Sequence, residues 1–169
     1  LGGMEMARGK LYTLDAGHFH PTEVISAKIT AVLQFLDKIL LHVSRGVRWD
    51  SDHVITLDDE LMRIMDEIIW NGLEERVFIG LDYFDASINR IAAWAIGMRN
   101  ARKALLKSCL APARAIREVE YAGDYTARFA ALEDRKTMPF GAVWAHYCEQ
   151  RGTPQDGEWL AIARAYERG

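Results

Sequence analysis

Aspartate and histidine residues recur where three strand-like runs of the sequence end, and these residue types bind divalent metal ions. The six residues are Asp15, His18, His42, Asp50, Asp52 and Asp82. Carboxylate oxygens and imidazole nitrogens together suit ions such as Mn²⁺, Co²⁺, Zn²⁺ or Mg²⁺. If the runs are neighbouring parallel strands, the six side chains meet at one rim of the sheet, where α/β sheets and (β/α) barrels carry their chemistry. The sequence therefore predicts a metal centre at this rim.

The spacing within this set strengthens the metal interpretation. Asp50 and Asp52 are two residues apart, which places both carboxylates on the same side of an extended segment. A doubly charged cation would offset the repulsion between such neighbouring carboxylates. Taken singly, an Asp after a strand is more often a helix cap, and a single His is more often a hydrogen-bonded surface residue. Recurrence at three strand ends favours the metal site.

The elements that must position these residues alternate between strand and helix. Short apolar runs predict strands at 10–14, 39–43 and 77–81. Helices are predicted to begin near Pro21, Thr56 and Ile88, with Thr56 as the cap of the second. The second strand is nearly all apolar, which predicts burial on both of its faces. Strand–helix repeats of this kind predict parallel βαβ units.

The later part of the chain changes character, because no strand pattern is found beyond Pro112. Helices separated by Gly and Pro turns are predicted at 113–121, 125–136, 140–150 and 157–168. A closed (β/α)8 barrel needs eight strands and about 250 residues. The predicted fold class is therefore α/β: a partial (β/α)8 TIM-type barrel of three C-terminal βα units at 1–108, carrying the metal ligands, followed by an all-helical C-terminal extension at 109–169. Leu1 is not an initiator residue, so we expect further sequence upstream.

Composition limits the classes of partner. The chain has 169 residues, of which 50% are hydrophobic and 27% charged, as in one soluble globular domain. Its net charge is −3 and its Lys and Arg residues are scattered, which predicts no nucleic-acid partner. No apolar run approaches the roughly 18 residues of a membrane span, and no secretory signal pattern opens the chain. Cys109 and Cys148 lie in helical patterns and are predicted to be buried thiols in a reducing compartment, so we expect a cytoplasmic protein without a membrane partner.

Long segments around the predicted ligands resemble the L-rhamnose isomerases. They are 14–23, 41–45, 47–53, 80–94 and 122–128, and Trp159 matches as well. The resemblance covers the chain from about Leu11 to its end. It implies a metal-dependent aldose–ketose isomerase of rhamnose metabolism, with a (β/α)8 barrel that interconverts L-rhamnose and L-rhamnulose. For the full-length protein it also implies a homo-oligomer, which is a tetramer in this family.

The same resemblance implies two divalent-metal sites, typically occupied by Mn²⁺, with Zn²⁺ or Co²⁺ as alternatives. The catalytic ion is expected at the residues that match His18, Asp50 and Asp52. These three are therefore the expected catalytic residues.

A second ion, mainly structural and substrate-anchoring, is expected at the residues that match Asp15, His42 and Asp82. In the family, a glutamate that completes the site and a lysine near the reacting carbons come from earlier strands, which would lie upstream of Leu1. We therefore expect residues 1–169 alone to show little isomerase activity. Two alternatives stay open: a related barrel sugar isomerase or epimerase with another substrate, and a non-catalytic fragment that serves only as an assembly piece.

Other residues near the predicted ligands have simpler interpretations. Arg45 is explained more easily by support of its loop than by contact with a substrate hydroxyl. Phe19 and Trp49 are suited to form an apolar wall for a sugar, but ordinary packing at a barrel rim explains them equally well. His146 lies in the helical part and is predicted to be a surface or interface residue.

Overall fold

The structure is a computed structural model that describes residues 9–48, 52–84 and 87–168. The first part of the chain forms β1 (Tyr12–Asp15), a 3₁₀ turn (Ala16–His18), α1 (Ser26–Val32), β2 (Ile39–Val43), α2 (Asp59–Trp70), β3 (Val77–Leu81) and α3 (Arg90–Leu110). The rest forms α4 (Ala113–Tyr121), α5 (Tyr125–Asp134), a second 3₁₀ turn (Arg135–Thr137), α6 (Gly141–Gln150) and α7 (Glu158–Arg168).

The three strands form one parallel sheet in the order β1-β2-β3. In the register, Asp15 lies opposite His42, and His42 lies opposite Gly80. Each strand is followed by a helix before the next one begins, so the prediction of parallel βαβ units is confirmed. The second and third strands have the predicted bounds, and the first lies slightly later than predicted.

The hydrophobic core lies on one face of this sheet. Ile39, Leu41 and Val43 of β2 are at most 1% exposed, and they pack with apolar residues of α1 and α2. The helical residues in this cluster include Ile29, Leu61, Ile64, Met65 and Ile68. Leu40 and His42, which alternate with the buried positions, are only half-buried. The prediction that β2 is buried on both faces is therefore wrong for the part of the chain that is described, because the helices cover only the side of Ile39.

The start of α2 also differs from the sequence prediction. Asp58, rather than Thr56, caps this helix, since its carboxylate accepts a hydrogen bond from the Leu61 N–H at 3.0 Å. The Thr56 hydroxyl instead donates to the second oxygen of Asp58 at 2.7 Å. Thr56 therefore supports the cap from outside the helix.

The long helix α3 joins the sheet layer to the C-terminal helices, because it packs against α2 and also contacts α7. The guanidinium of Arg99 lies 5.2 Å from the ring centre of Trp144 and 5.6 Å from that of Trp159. Arg99 also donates to the Pro154 carbonyl at 2.8 Å. None of the helices in the described ranges combines the length and apolar character that crossing a bilayer requires.

A buried ion pair provides a second link between the two parts. Asp66 on α2 accepts a hydrogen bond from Arg135 at 2.9 Å, and a second contact joins the other carboxylate oxygen to the same guanidinium. Both side chains are only 11% exposed. The last third of the chain is therefore attached to α2 by a charge pair, in addition to its contacts with α3.

The two cysteines differ in their surroundings. Cys148 is fully buried, as predicted, whereas Cys109 is exposed, so the prediction of a buried thiol is wrong at that position. In the last turn of α3, the neighbouring Ser108 takes the inward position and is 1% exposed. Both cysteines are free thiols.

Candidate metal centre

The carboxyl ends of the three strands bring acidic and imidazole side chains together. Asp15 is the last residue of β1, His42 is near the end of β2, and Asp82 follows β3 directly. The His42 Nδ1 atom lies 3.1 Å from Asp15 Oδ2 and 3.1 Å from Asp82 Oδ2. These three residues, called here the His42 group, are those that the resemblance assigns to the second ion.

The strand register explains how His42 reaches Asp82. Asp15, His42 and Gly80 occupy one row across the sheet, and Gly80 has no side chain on that row. A Cβ atom at Gly80 would lie 3.2 Å from His42 Cδ2, so the imidazole fills space that a side chain would otherwise take. Because side chains alternate along a strand, Asp82 lies on the same side as Gly80 and meets the ring there.

Asp82 is held in place through the residue after it. Tyr83 is 8% exposed and its hydroxyl donates to the Ala93 carbonyl of α3 at 3.1 Å. A Cβ atom at Gly97 would overlap that hydroxyl, so a glycine in α3 makes room for the tyrosine. Burial raises the pKa of Tyr83, so the hydroxyl keeps its proton and remains a hydrogen-bond donor.

A second cluster shares Asp15 with the first. Donor atoms of Asp15, His18 and Asp52, called here the His18 group, lie within 4.8 Å of one another, as do those of the His42 group. His18 Nε2 is 3.7 Å from Asp15 Oδ2. The other oxygen of Asp15 accepts a hydrogen bond from the Gly17 N–H at 3.0 Å and caps the 3₁₀ turn. Oδ1 of Asp15 is therefore used by the turn, and Oδ2 faces the other ligands of both groups.

Asp52 reaches this cluster because the loop after β2 folds back on itself. Arg45 and His53 form an antiparallel backbone bridge with N–H to O distances of 2.9 and 3.1 Å. Within that fold, the Ser44 hydroxyl donates to Asp52 Oδ1 at 2.7 Å. The Phe84 N–H donates to the Asp52 carbonyl at 3.2 Å, which ties the loop to the chain that follows β3.

The remaining predicted site residues are placed as follows. Asp50 and Trp49 lie outside the described residues. Arg45 donates to the Val54 carbonyl at 3.1 Å, which supports its loop as the sequence favoured. Phe19 packs against the main core, as expected for the packing role, which was one of the two interpretations beside an apolar wall for a sugar. His146 is exposed on α6, 3.8 Å from a carboxylate oxygen of Glu149.

Three features of the site were missed by reasoning from the sequence. Asp15 was assigned to one ion only, yet its carboxylate belongs to both groups. Gly17 and Ser44, which border the Asp52 carboxylate, were not identified. In the sequence, Gly17 between Asp15 and His18 could have indicated that another group approaches closely there. That this group is Asp52 depends on how the loop after β2 folds back, which the sequence does not show.

The donor set suits a divalent cation. Each group offers two carboxylate oxygens and one imidazole nitrogen, the ligand types of Mn²⁺, Zn²⁺ and Co²⁺. In octahedral coordination, ligands about 2.1 Å from an ion lie about 3 Å from one another, which is the spacing around His42 Nδ1. One N–H proton points at one acceptor at a time, so it does not satisfy both carboxylates next to His42, whereas a cation among the three atoms contacts all of them.

Comparison with known proteins gives matches over nearly the whole chain. The family model described as L-rhamnose isomerase (RhaA) matches residues 2–169. An L-rhamnose isomerase of Rhodopirellula baltica is 57% identical over 165 residues, which is 98% of this chain and 39% of that protein. An L-rhamnose isomerase of Escherichia coli strain K12 is 57% identical over 166 residues, or 98% of this chain and 40% of that protein. The chain thus spans about two fifths of the length of these curated relatives.

Proposed function

The chain belongs to the L-rhamnose isomerase family, and from that premise we propose that it supplies the metal-binding rim of an enzyme that interconverts L-rhamnose and L-rhamnulose. The observation that carries the proposal is the shared carboxylate: Asp15 Oδ2 faces His42 Nδ1 at 3.1 Å and His18 Nε2 at 3.7 Å. Two ligand groups joined through one aspartate are suited to two neighbouring ions.

The reaction requires a hydrogen to move between C1 and C2 of the sugar and a proton to move between O1 and O2. Two divalent ions, when bound, would polarise the sugar oxygens as Lewis acids. The chain's own residues would hold and orient these ions. Asp15, His42 and Asp82 would hold one ion, and His18 and Asp52, with Asp50 as the resemblance implies, would hold the other. The side chains of His18 and Asp82 are 61% and 62% exposed, so each group has a ligand that a sugar can reach from solvent.

We propose Mn²⁺ as the ion at both positions, with Zn²⁺ and Co²⁺ as substitutes. The mixture of oxygen and nitrogen donors supports this assignment, because a purely oxygen site would favour Mg²⁺ or Ca²⁺ and thiolates would favour Zn²⁺. Neither Cys109 nor Cys148 belongs to the two groups.

We propose further that the sheet is part of a (β/α)8 barrel, with residues 1–108 in the barrel and 109–169 as the helical extension. In the described part of the chain, β1 and β3 each pair with a strand on one side only. Phe78 on β3 is 45% exposed, on the side of the sheet opposite the core, where a closed barrel would bury it. Ligands at the carboxyl ends of the strands are where barrel enzymes carry their active sites.

The partner proposed for the site is a small sugar, and the intact enzyme is proposed to be a homo-oligomer, a tetramer as the family resemblance implies. The two free thiols suit the reducing conditions of the cytoplasm, which is the compartment we propose.

The test of the substrate is a comparison of sugars with the intact protein loaded with Mn²⁺. L-rhamnose, mannose, lyxose and allose would be assayed for ketose formation, and kcat/KM compared. We expect L-rhamnose to have the highest value. A higher kcat/KM for another sugar would assign the protein to a related isomerase instead.

A further inference from the structure

Gly17 lies against the carboxylate of Asp52. A Cβ atom added at Gly17 would overlap Asp52 Oδ1 and would lie 2.9 Å from Ser44 Oγ. The backbone of Gly17 is outside the left-handed region, which among the described glycines is adopted by Gly9, Gly72, Gly123 and Gly152. A glycine is therefore needed at position 17 for space and not for backbone conformation.

Ser44 defines the other side of the same space. Its hydroxyl donates to Asp52 Oδ1 at 2.7 Å, so this oxygen is held between the serine and the Cα of Gly17. With Oδ1 fixed in this way, the orientation of the carboxylate toward Asp15 and His18 is fixed as well. Gly17 and Ser44 thus control one ligand of the His18 group.

Gly80 has the corresponding position in the His42 group. Its Cβ would lie 3.2 Å from Cδ2 and 3.7 Å from Nε2 of His42, which is tight contact with the ring. An alanine there would push the imidazole away by a few tenths of an ångström. Since His42 Nδ1 lies 3.1 Å from carboxylate oxygens of both Asp15 and Asp82, a small displacement of the ring changes both distances.

We propose that Gly17 and Gly80 are positioning residues that each keep open the space for one ligand of one metal group, with Ser44 completing the Gly17 position. The inference rests on the proposed two-ion site and adds to it the residues that hold Asp52 and His42 in ligating orientation. It assigns Gly17 and Ser44 to the ion of the His18 group, and Gly80 to the ion of the His42 group.

The atoms that an alanine would meet at both positions belong to side chains rather than to backbone. The fold can therefore accept the substitution by moving the ligand, and the change should appear in ion binding rather than in stability. Gly46, in the same loop as Ser44, provides a matched control, because its Cβ would have no neighbour closer than 4.0 Å.

The experiment titrates the metal-free intact protein with MnCl₂, using calorimetry for affinity and electron paramagnetic resonance to count unbound Mn²⁺. Wild type and Gly46→Ala should each bind two ions per chain, and the Kd of each ion should be the same in both proteins. Gly17→Ala should weaken one ion by about tenfold or more, and Gly80→Ala should weaken the other by a smaller factor. The metal-free melting temperatures of all four proteins should agree within about 2 °C.

Double variants identify which ion is affected. In a His42→Ala background, which keeps the His18 group, Gly17→Ala should weaken the remaining ion, whereas Gly80→Ala should add nothing. Ser44→Ala should weaken the same ion as Gly17→Ala, and Ser44→Thr, which keeps the hydroxyl, should restore it. These serine variants test the same space without adding an atom at Gly17.

Unchanged binding of both ions in Gly17→Ala and Ser44→Ala would overturn the inference while leaving the proposed function intact. A metal-free Gly17→Ala protein that melts well below wild type, with unchanged binding in Ser44→Ala, would show a structural role and would also overturn it. If the wild type itself fails to bind two ions, the proposed function fails, and the inference fails with it.

Discussion

The carboxylate of Asp15 and the imidazole of His42 meet at 3.1 Å across two neighbouring strands, although 27 residues separate them in the chain. They are register partners in the parallel pair β1–β2, so the sheet itself brings them together. Because Asp15 also approaches His18, one carboxylate joins a ligand from the neighbouring strand to a ligand from the turn that follows its own strand.

This shared position predicts that Asp15→Asn affects both ions. The amide removes the negative charge that both groups use, so we expect both Mn²⁺ ions to bind about tenfold more weakly or worse. His18→Ala and His42→Ala should each weaken one ion only. Calorimetric titration of the three metal-free variants makes the comparison, and loss of a single ion in Asp15→Asn would show that the two groups do not share this carboxylate.

Replacement of His18 is expected to remove most of the isomerase activity of the intact protein. Lewis-acid polarisation is worth several kcal/mol of transition-state stabilisation, so His18→Ala should lower kcat at saturating Mn²⁺ by at least about a hundredfold. Circular dichroism should be unchanged, because the side chain is largely exposed. His146→Ala, on the exposed face of α6, is the control and should keep normal turnover. Near-normal activity in His18→Ala would remove this residue from the site.

The buried pair between Asp66 and Arg135 predicts a large loss of stability when one partner is removed. Arg135→Ala leaves the Asp66 carboxylate without its partner, and the expected cost is about 3 kcal/mol in the free energy of unfolding. Arg114→Ala breaks an exposed pair with Glu118 and should cost less than about 1 kcal/mol. Urea unfolding of both variants measures the difference, and equal midpoints would contradict the burial of the Asp66 pair.

The two thiols should differ in reactivity. Iodoacetamide is expected to label Cys109 in the native protein, and Cys148 only after unfolding. Although Cys109 is exposed, neighbouring protein atoms remove part of the water around its thiol; this desolvation, and then the charge of Glu74, raise its pKa. Its thiolate therefore forms at higher pH than that of an unperturbed cysteine. Glu74→Gln should lower this pKa and shift the labelling profile toward lower pH. Peptide mass mapping across pH follows the labelling of both cysteines. An unchanged pH profile of Cys109 labelling in Glu74→Gln would contradict the effect of Glu74 on the pKa.

Much of the architecture follows from local sequence. The apolar runs at 39–43 and 77–81 specify β2 and β3 directly, because strand bounds depend on short-range pattern. Recurrence of Asp and His at the strand ends was enough to predict that Asp15, His42 and Asp82 lie close together, along with His18 and Asp52.

What the sequence could not provide depends on contacts between distant segments. Asp66 and Arg135 are 69 residues apart, and each on its own resembles a solvated helix charge. The space at Gly17 is occupied by Asp52 only because the loop after β2 returns to β1. Choosing Asp58 over Thr56 as a cap likewise depended on backbone geometry at α2, since both residue types are good caps.

The most direct test of the two-ion account is the number of Mn²⁺ ions that the intact metal-free protein binds, measured together with the recovery of L-rhamnose isomerisation. The account predicts two ions per chain, no turnover before addition, and activity that rises as the sites fill. Binding of fewer than two ions, or isomerisation that proceeds equally well with all divalent metal removed, would contradict it.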